Sequence, residues 1–118
     1  MLVDIHRGMQ PVTRHPHEDH MRMIRHSAGD RYQAMMEALD LEVHGKQVAT
    51  SSWMPPPGDW LRTPFAPLAE IAAGDREFSG RLFGCLVWQH FMDRPERWAF
   101  CRYERNGESI GGITYFQV

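Results

Sequence analysis

Arg97-Trp98-Ala99-Phe100-Cys101-Arg102-Tyr103-Glu104-Arg105, then Asn106-Gly107, then Glu108-Ser109-Ile110-Gly111-Gly112-Ile113-Thr114-Tyr115-Phe116-Gln117-Val118, is the stretch that decides the fold. Two runs rich in aromatic and β-branched residues flank Asn-Gly, a pair that accepts the positive φ angles of a two-residue type I′ turn, so the segment predicts an antiparallel β-hairpin. Such a loop sets Arg105 opposite Glu108, Tyr103 opposite Ile110, Cys101 opposite Gly112, Phe100 opposite Ile113 and Trp98 opposite Tyr115. Alternation then places Trp98, Phe100, Ile113 and Tyr115 on one face, with Arg102 and Glu104 toward the tip. Ala99, Cys101, Tyr103, Ile110, Thr114 and Phe116 take the other. Both faces are more apolar than a hairpin with one solvated side requires, so other elements or a partner must cover the second.

Working upstream, Asp75 is placed to cap the longest periodic segment, Arg76 to Met92. Its apolar arc (Phe78, Leu82, Cys85, Leu86 with Phe83, Val87, Phe91) is wide enough for a central helix. Gly80 and Gly84 lie four apart on it, a bare strip where another backbone could approach closely. A shorter helix is expected within Pro64 to Ala73, with a proline in its first turn, Leu68, Ile71 and Ala72 toward the core, and Gly74 at its left-handed end. Met54 to Trp60, with three consecutive prolines, must be an extended loop. Lys46 to Trp53 predicts a short strand. Asp30 and Gln33 suggest a capping box for a helix ending near Leu41, with Tyr32, Met35, Met36 and Leu39 as its apolar stripe. His17 to Arg25 predicts a helical turn or two. Met1 to Pro16, broken by Gly8, Pro11 and Pro16, reads as an N-terminal arm or edge strand, with 17–118 as a single α+β domain.

The fold class expected is therefore α+β: helices packed on a small antiparallel sheet with a C-terminal β-hairpin. Composition agrees with one folded domain: 118 residues, formal charge −2, 42% apolar and 24% charged. No apolar stretch approaches the roughly 20 residues of a spanning helix, and Asp4 sits where a signal peptide carries positive charge, so no membrane partner and a cytoplasmic location are expected. Cys85 and Cys101 fall in core-type segments and read as small buried residues in a reducing compartment.

Chemistry is sparse in the pattern. His15, His17 and His20, with Glu18 and Asp19 between them, form the one cluster with metal-ligand character. His17 and His20, three apart, share a helix face, but the spacing is not that of His-Glu-x-x-His. Cys85 and His90, five apart on one helix, point in different directions, so no local nucleophile and base pair is visible. Gly107, Gly111 and Gly112 follow the hairpin turn rather than bridging a strand and a helix, which excludes a phosphate loop. No cofactor is indicated, and no catalytic set that would mark an enzyme.

The element order from Asp30 to Val118 (helix, strand, helix, helix, strand, turn, strand) resembles winged-helix domains. That resemblance implies nucleic-acid binding, with Arg76 to Met92 as recognition helix, Arg81 on it and Arg102 and Arg105 on the wing. The chain departs from the pattern where that helix carries bulky apolar residues instead of a polar outward face. The reading preferred from sequence is a small interaction or regulatory module acting by protein–protein contact. Its partner would be a second copy, as a homodimer, or a larger protein, met through Trp53, Trp60, Tyr103, Ile110 and Phe116. Nucleic-acid binding is the alternative, and metal or small-ligand binding the second. An apolar pocket around Trp88 and Trp98 would raise the last.

Overall fold

The computed structural model describes residues 1–50, 59–105 and 108–118, with the side chains of 103–105 and 108–111 outside the description. The chain runs β1 (Leu2–Asp4), a 3-10 turn (Ile5–Arg7), β2 (Gln10–Pro11), α1 (Glu18–Ala28), α2 (Arg31–Val43), β3 (Val48–Thr50), a second 3-10 turn (Trp60–Arg62), α3 (Ala66–Ile71), α4 (Arg76–Asp93), β4 (Trp98–Arg105) and β5 (Glu108–Gln117). The strands form one sheet in the order β2-β1-β4-β5-β3. It is an α+β fold with the expected C-terminal pairing of β4 with β5.

The sheet is mixed. β1 runs parallel to β4, with Leu2 beside Trp98 and Val3 beside Ala99, while β2, β3 and β5 pair antiparallel with their neighbours. A parallel neighbour needs a crossover; here all four helices lie in the chain between β1 and β4. The N-terminal segment, expected as an arm or edge strand, thus supplies an interior strand, β1, and the edge strand β2.

The hairpin register differs from the simple expectation. Arg105 faces Glu108 as predicted, and Glu104 faces Ser109, but Arg102 faces Ile113, Cys101 Thr114, Phe100 Tyr115 and Trp98 Gln117. Between Glu104 and Arg102, β4 advances two positions and β5 four, so a bulge over Gly111-Gly112 absorbs two extra residues. Because the offset is even, Trp98, Phe100, Ile113 and Tyr115 keep the one face expected of them. Tyr115 and Trp98 are 0% and 1% exposed beneath the helices.

α4 explains that burial. The Asp75 carboxylate caps it by accepting from Phe78 N–H at 2.8 Å, as the sequence suggests. Phe91 stacks on Tyr115 with ring centres 4.1 Å apart and leans on Trp98 at 4.8 Å, while Trp88 meets Phe100 edge-on at 4.6 Å. On another side of α4, Phe83 receives Phe65 at 5.0 Å and Trp60 at 5.9 Å. Leu68, Met21, Ile24, Met35 and Leu39 complete the core. Every residue of α4 from Leu82 to Phe91 except Gly84 is buried, while Arg76, Glu77 and Arg81 in its first turns are exposed.

Local expectations fared differently where tertiary contacts intervene. α1 runs to Ala28, past Ser27, and ends at Gly29 with φ +54°. Asp30 adopts a helical conformation between α1 and α2 and its carboxylate makes no cap bond. The expected capping box is therefore absent, and Gln33 bonds Glu37 instead. α2 continues to Val43, two residues beyond Leu41, which is left 81% exposed. β3 spans Val48–Thr50; residues 51–58, including Trp53 and the three prolines, and the turn at 106–107 lie outside the described residues. α3 is capped by Ala72, and two left-handed residues follow, Ala73 at φ +52° and the expected Gly74 at φ +82°.

Candidate functional site

Four residues of α4, Arg81, Gly84, Cys85 and Trp88, are spaced i, i+3, i+4, i+7 and so share one helix face. That face borders a cavity of about 390 Å³, closed on one side by His15, Pro16, His17 and His20 and on the other by Arg102 and Ile113. The hairpin supplies the last two because they face one another across the β4–β5 pair just below the bulge.

His15 holds the wall in place. It is 4% exposed, its Nε2 lies 2.8 Å from the Cys85 carbonyl oxygen, and His17 N–H donates to its Nδ1 at 2.8 Å. Since Nδ1 accepts, Nε2 must carry the hydrogen and donate, which defines one neutral tautomer. Burial pushes its pKa below the ordinary imidazole value, partly offset by the bond to Cys85. Both ring nitrogens are thereby committed, which removes His15 from the expected metal set. Among the described residues no three His, Cys, Asp or Glu side chains gather as metal ligands. His17 and His20 stack on each other with ring centres 5.5 Å apart.

The sequence paired Cys85 with no base; the fold brings His20 to it from α1, with Sγ and Nδ1 3.8 Å apart. Burial pushes the Cys85 thiol up to about 11, which favours the protonated thiol at neutral pH. Both cysteines are free, Cys85 buried and Cys101 half-buried.

Arg81 and Arg102, assigned from sequence to nucleic-acid contact, converge on this cavity rather than on an open helix face. Arg81 is paired with Glu77 one turn earlier at 2.8 Å. Among the described residues Arg102 has no carboxylate partner, and no carboxylate lines the cavity. Gly84 packs against nothing: a Cβ built there meets no atom within 4 Å. The close backbone approach expected at this glycine does not occur; the space belongs to the cavity. Among the described residues, the indole N–H of Trp88, 6% exposed, has no partner, and neither has the hydroxyl of fully buried Tyr115. Burial raises the Tyr115 pKa far above its usual value.

Of the expected interface residues, Trp60 and Phe116 have described side chains. Trp60 is buried at 7% against Phe83. Phe116 is half-buried on the outward face of the sheet. Trp53 and the side chains of Tyr103, Ile110 and Arg105 lie outside the described residues. A further apolar groove of about 400 Å³ runs between α2 and Thr63 to Phe65, beside exposed Leu41. Comparison with protein-family models, curated proteins and solved structures finds no match for this chain.

Proposed function

We propose that this chain is a binding protein for a small anionic ligand, taken up in the cavity between α1, α4 and the β4–β5 pair. The observation that carries this reading is the opening at Gly84, with Arg81 and Arg102 on its rim and no carboxylate among the described residues of its lining. A glycine inside a helix costs about 1 kcal/mol relative to alanine, and here no neighbour uses the vacated space. Arginine offers a planar fork suited to carboxylate, sulfonate or phosphate oxygens, and low-dielectric walls strengthen the attraction. Pro16, Trp88 and Ile113 supply an apolar surface for the rest of the ligand.

The test is calorimetric titration with 2-naphthalenesulfonate, a monoanion with a flat apolar body. Saturable binding that disappears in Arg102→Ala and in Gly84→Leu, both still folded by circular dichroism, is the expected result. Binding that ignores both substitutions, or no binding, rejects the reading.

A second reading, contact with another copy or a larger protein through the outer sheet face, draws on Val48. It is 61% exposed on an edge strand and sits opposite Phe116. Light scattering on the native chain and on Val48→Glu decides it: a dimer that the substitution dissociates supports it, and a monomer in both removes self-association.

A further inference from the structure

A second cavity, about 620 Å³, adjoins the first and shares Pro16, Trp88 and Arg102 with it. Its far wall comes from the segment after β1. Gly8 and Met9 both take left-handed angles, φ +67° and +63°, and Met9 N–H donates to the Asp4 carbonyl at 2.9 Å, which turns the chain back on itself. Val12 N–H then bonds the Leu2 carbonyl at 2.8 Å, so residues 10 to 14 are laid along the cavity. A non-glycine residue held at positive φ is strained and persists where surrounding structure demands it.

Charge in this second space is lopsided. Among the described residues, three guanidinium groups, Arg7, Arg14 and Arg102, line it against one carboxylate, Asp4, which lies 3.8 Å from Arg7. Two positive charges are left over, on a chain whose formal net charge is −2. Arg14 has no carboxylate partner among the described residues. Between this end and Arg81 the shared wall is Pro16 and Trp88, with Phe100 behind at 4.6 Å from the indole. An apolar stretch, exposed Pro16 and the edge of largely buried Trp88, thus lies between cations, and among the described residues the indole N–H there has no partner.

We propose that the two cavities are subsites of one cleft joined at Arg102, and that its ligand class is an elongated, flat aromatic dianion: one anionic group between Arg81 and Arg102, the aromatic body along Trp88 and Pro16, and the second anionic group at Arg14. This rests on the anion-binding reading above and extends it to a second recognition point. A ligand with one anionic group leaves Arg14 unused, whereas a second group gains a further charge-assisted contact without a second loss of translational freedom.

The experiment compares 2,6-naphthalenedisulfonate with 2-naphthalenesulfonate, which share a body and differ by one anionic group, by calorimetric titration of the full chain. The expected result is disulfonate binding at least about tenfold tighter, the scale of one good charged contact. Arg14→Ala should erase that advantage, Arg14→Lys should retain part of it, and neither should alter monosulfonate binding. Equal affinity of the two probes, or an Arg14→Ala loss shared equally by both, overturns the two-subsite proposal and leaves the first cavity standing. Failure of both probes to bind overturns the proposal and the reading beneath it together. Arg14 is a surface side chain, so its substitution leaves folding intact, checked by unchanged circular dichroism.

Discussion

His15 Nε2 donates to the carbonyl oxygen of Cys85 at 2.8 Å, tying together two positions 70 residues apart in sequence. With Nδ1 occupied by His17 N–H, the ring has no room for a second proton without breaking one of these bonds. The arm before α1 is therefore fastened to the central helix by a neutral imidazole.

Stability should fall in mild acid because of this. Burial depresses the pKa of His15 and also that of His90, whose Nδ1 faces Asp40 at 3.5 Å, below the ordinary 6.5. A depressed folded value means the unfolded chain binds the proton first, so the stabilisation is complete above about pH 6.5 and is lost as pH drops through the folded values. Urea unfolding between pH 7.5 and 5 should show a declining midpoint. In His15→Gln, which keeps a donor and an acceptor but cannot titrate, the decline should be shallower.

Gly84→Ala should stabilise the protein by about 0.5 to 1 kcal/mol, since it restores helix propensity where a Cβ meets nothing within 4 Å. Chemical denaturation measures this directly. A loss of stability would mean that the space at Gly84 is not open.

Tyr115→Phe should be neutral or stabilising by up to about 1 kcal/mol, because the hydroxyl it removes is buried without a partner and its desolvation is uncompensated. The ring contacts with Phe91 at 4.1 Å remain. A destabilisation above about 1 kcal/mol in thermal or urea unfolding would show that the hydroxyl is bonded in solution.

Glu96 gives an acid limb of its own. Burial alone would raise its pKa, but hydrogen bonds from the Trp98 indole N–H and from Arg94 outweigh that and hold it down to about 2. The carboxylate's stabilisation is thus present above its ordinary 4.5 and lost as pH falls toward 2. It is worth no more than about 3 kcal/mol. Glu96→Gln should be less stable at pH 7 and should lose little further stability between pH 4.5 and 2.5, read by urea midpoints.

The site was partly legible. Arg81, Gly84, Cys85 and Trp88 repeat at helical spacing on a segment whose periodicity is plain, so one wall could have been drawn from the sequence. The opposite wall could not. His15 to His20 looked like a loose polar helix start because nothing local shows that His15 will be buried against Cys85, or that His20 will reach the same cysteine. Arg102 was singled out for a wing, and only its pairing with Ile113 places it over the cavity.

By itself, the sequence determined what depends on neighbours a few residues away: the Asp75 cap, the span of the central helix, the left-handed Gly74 and the alternation that sends Trp98 and Tyr115 to one face. These follow from backbone sterics, capping and side-chain period, which act within a turn or a pleat. Tertiary structure alone decided the parallel seat of β1 beside β4, the two-residue bulge, the loss of the Asp30 cap and the adjoining cavities. Each of those depends on which distant surfaces meet, and many sets of long-range contacts are compatible with the same local preferences until packing selects one.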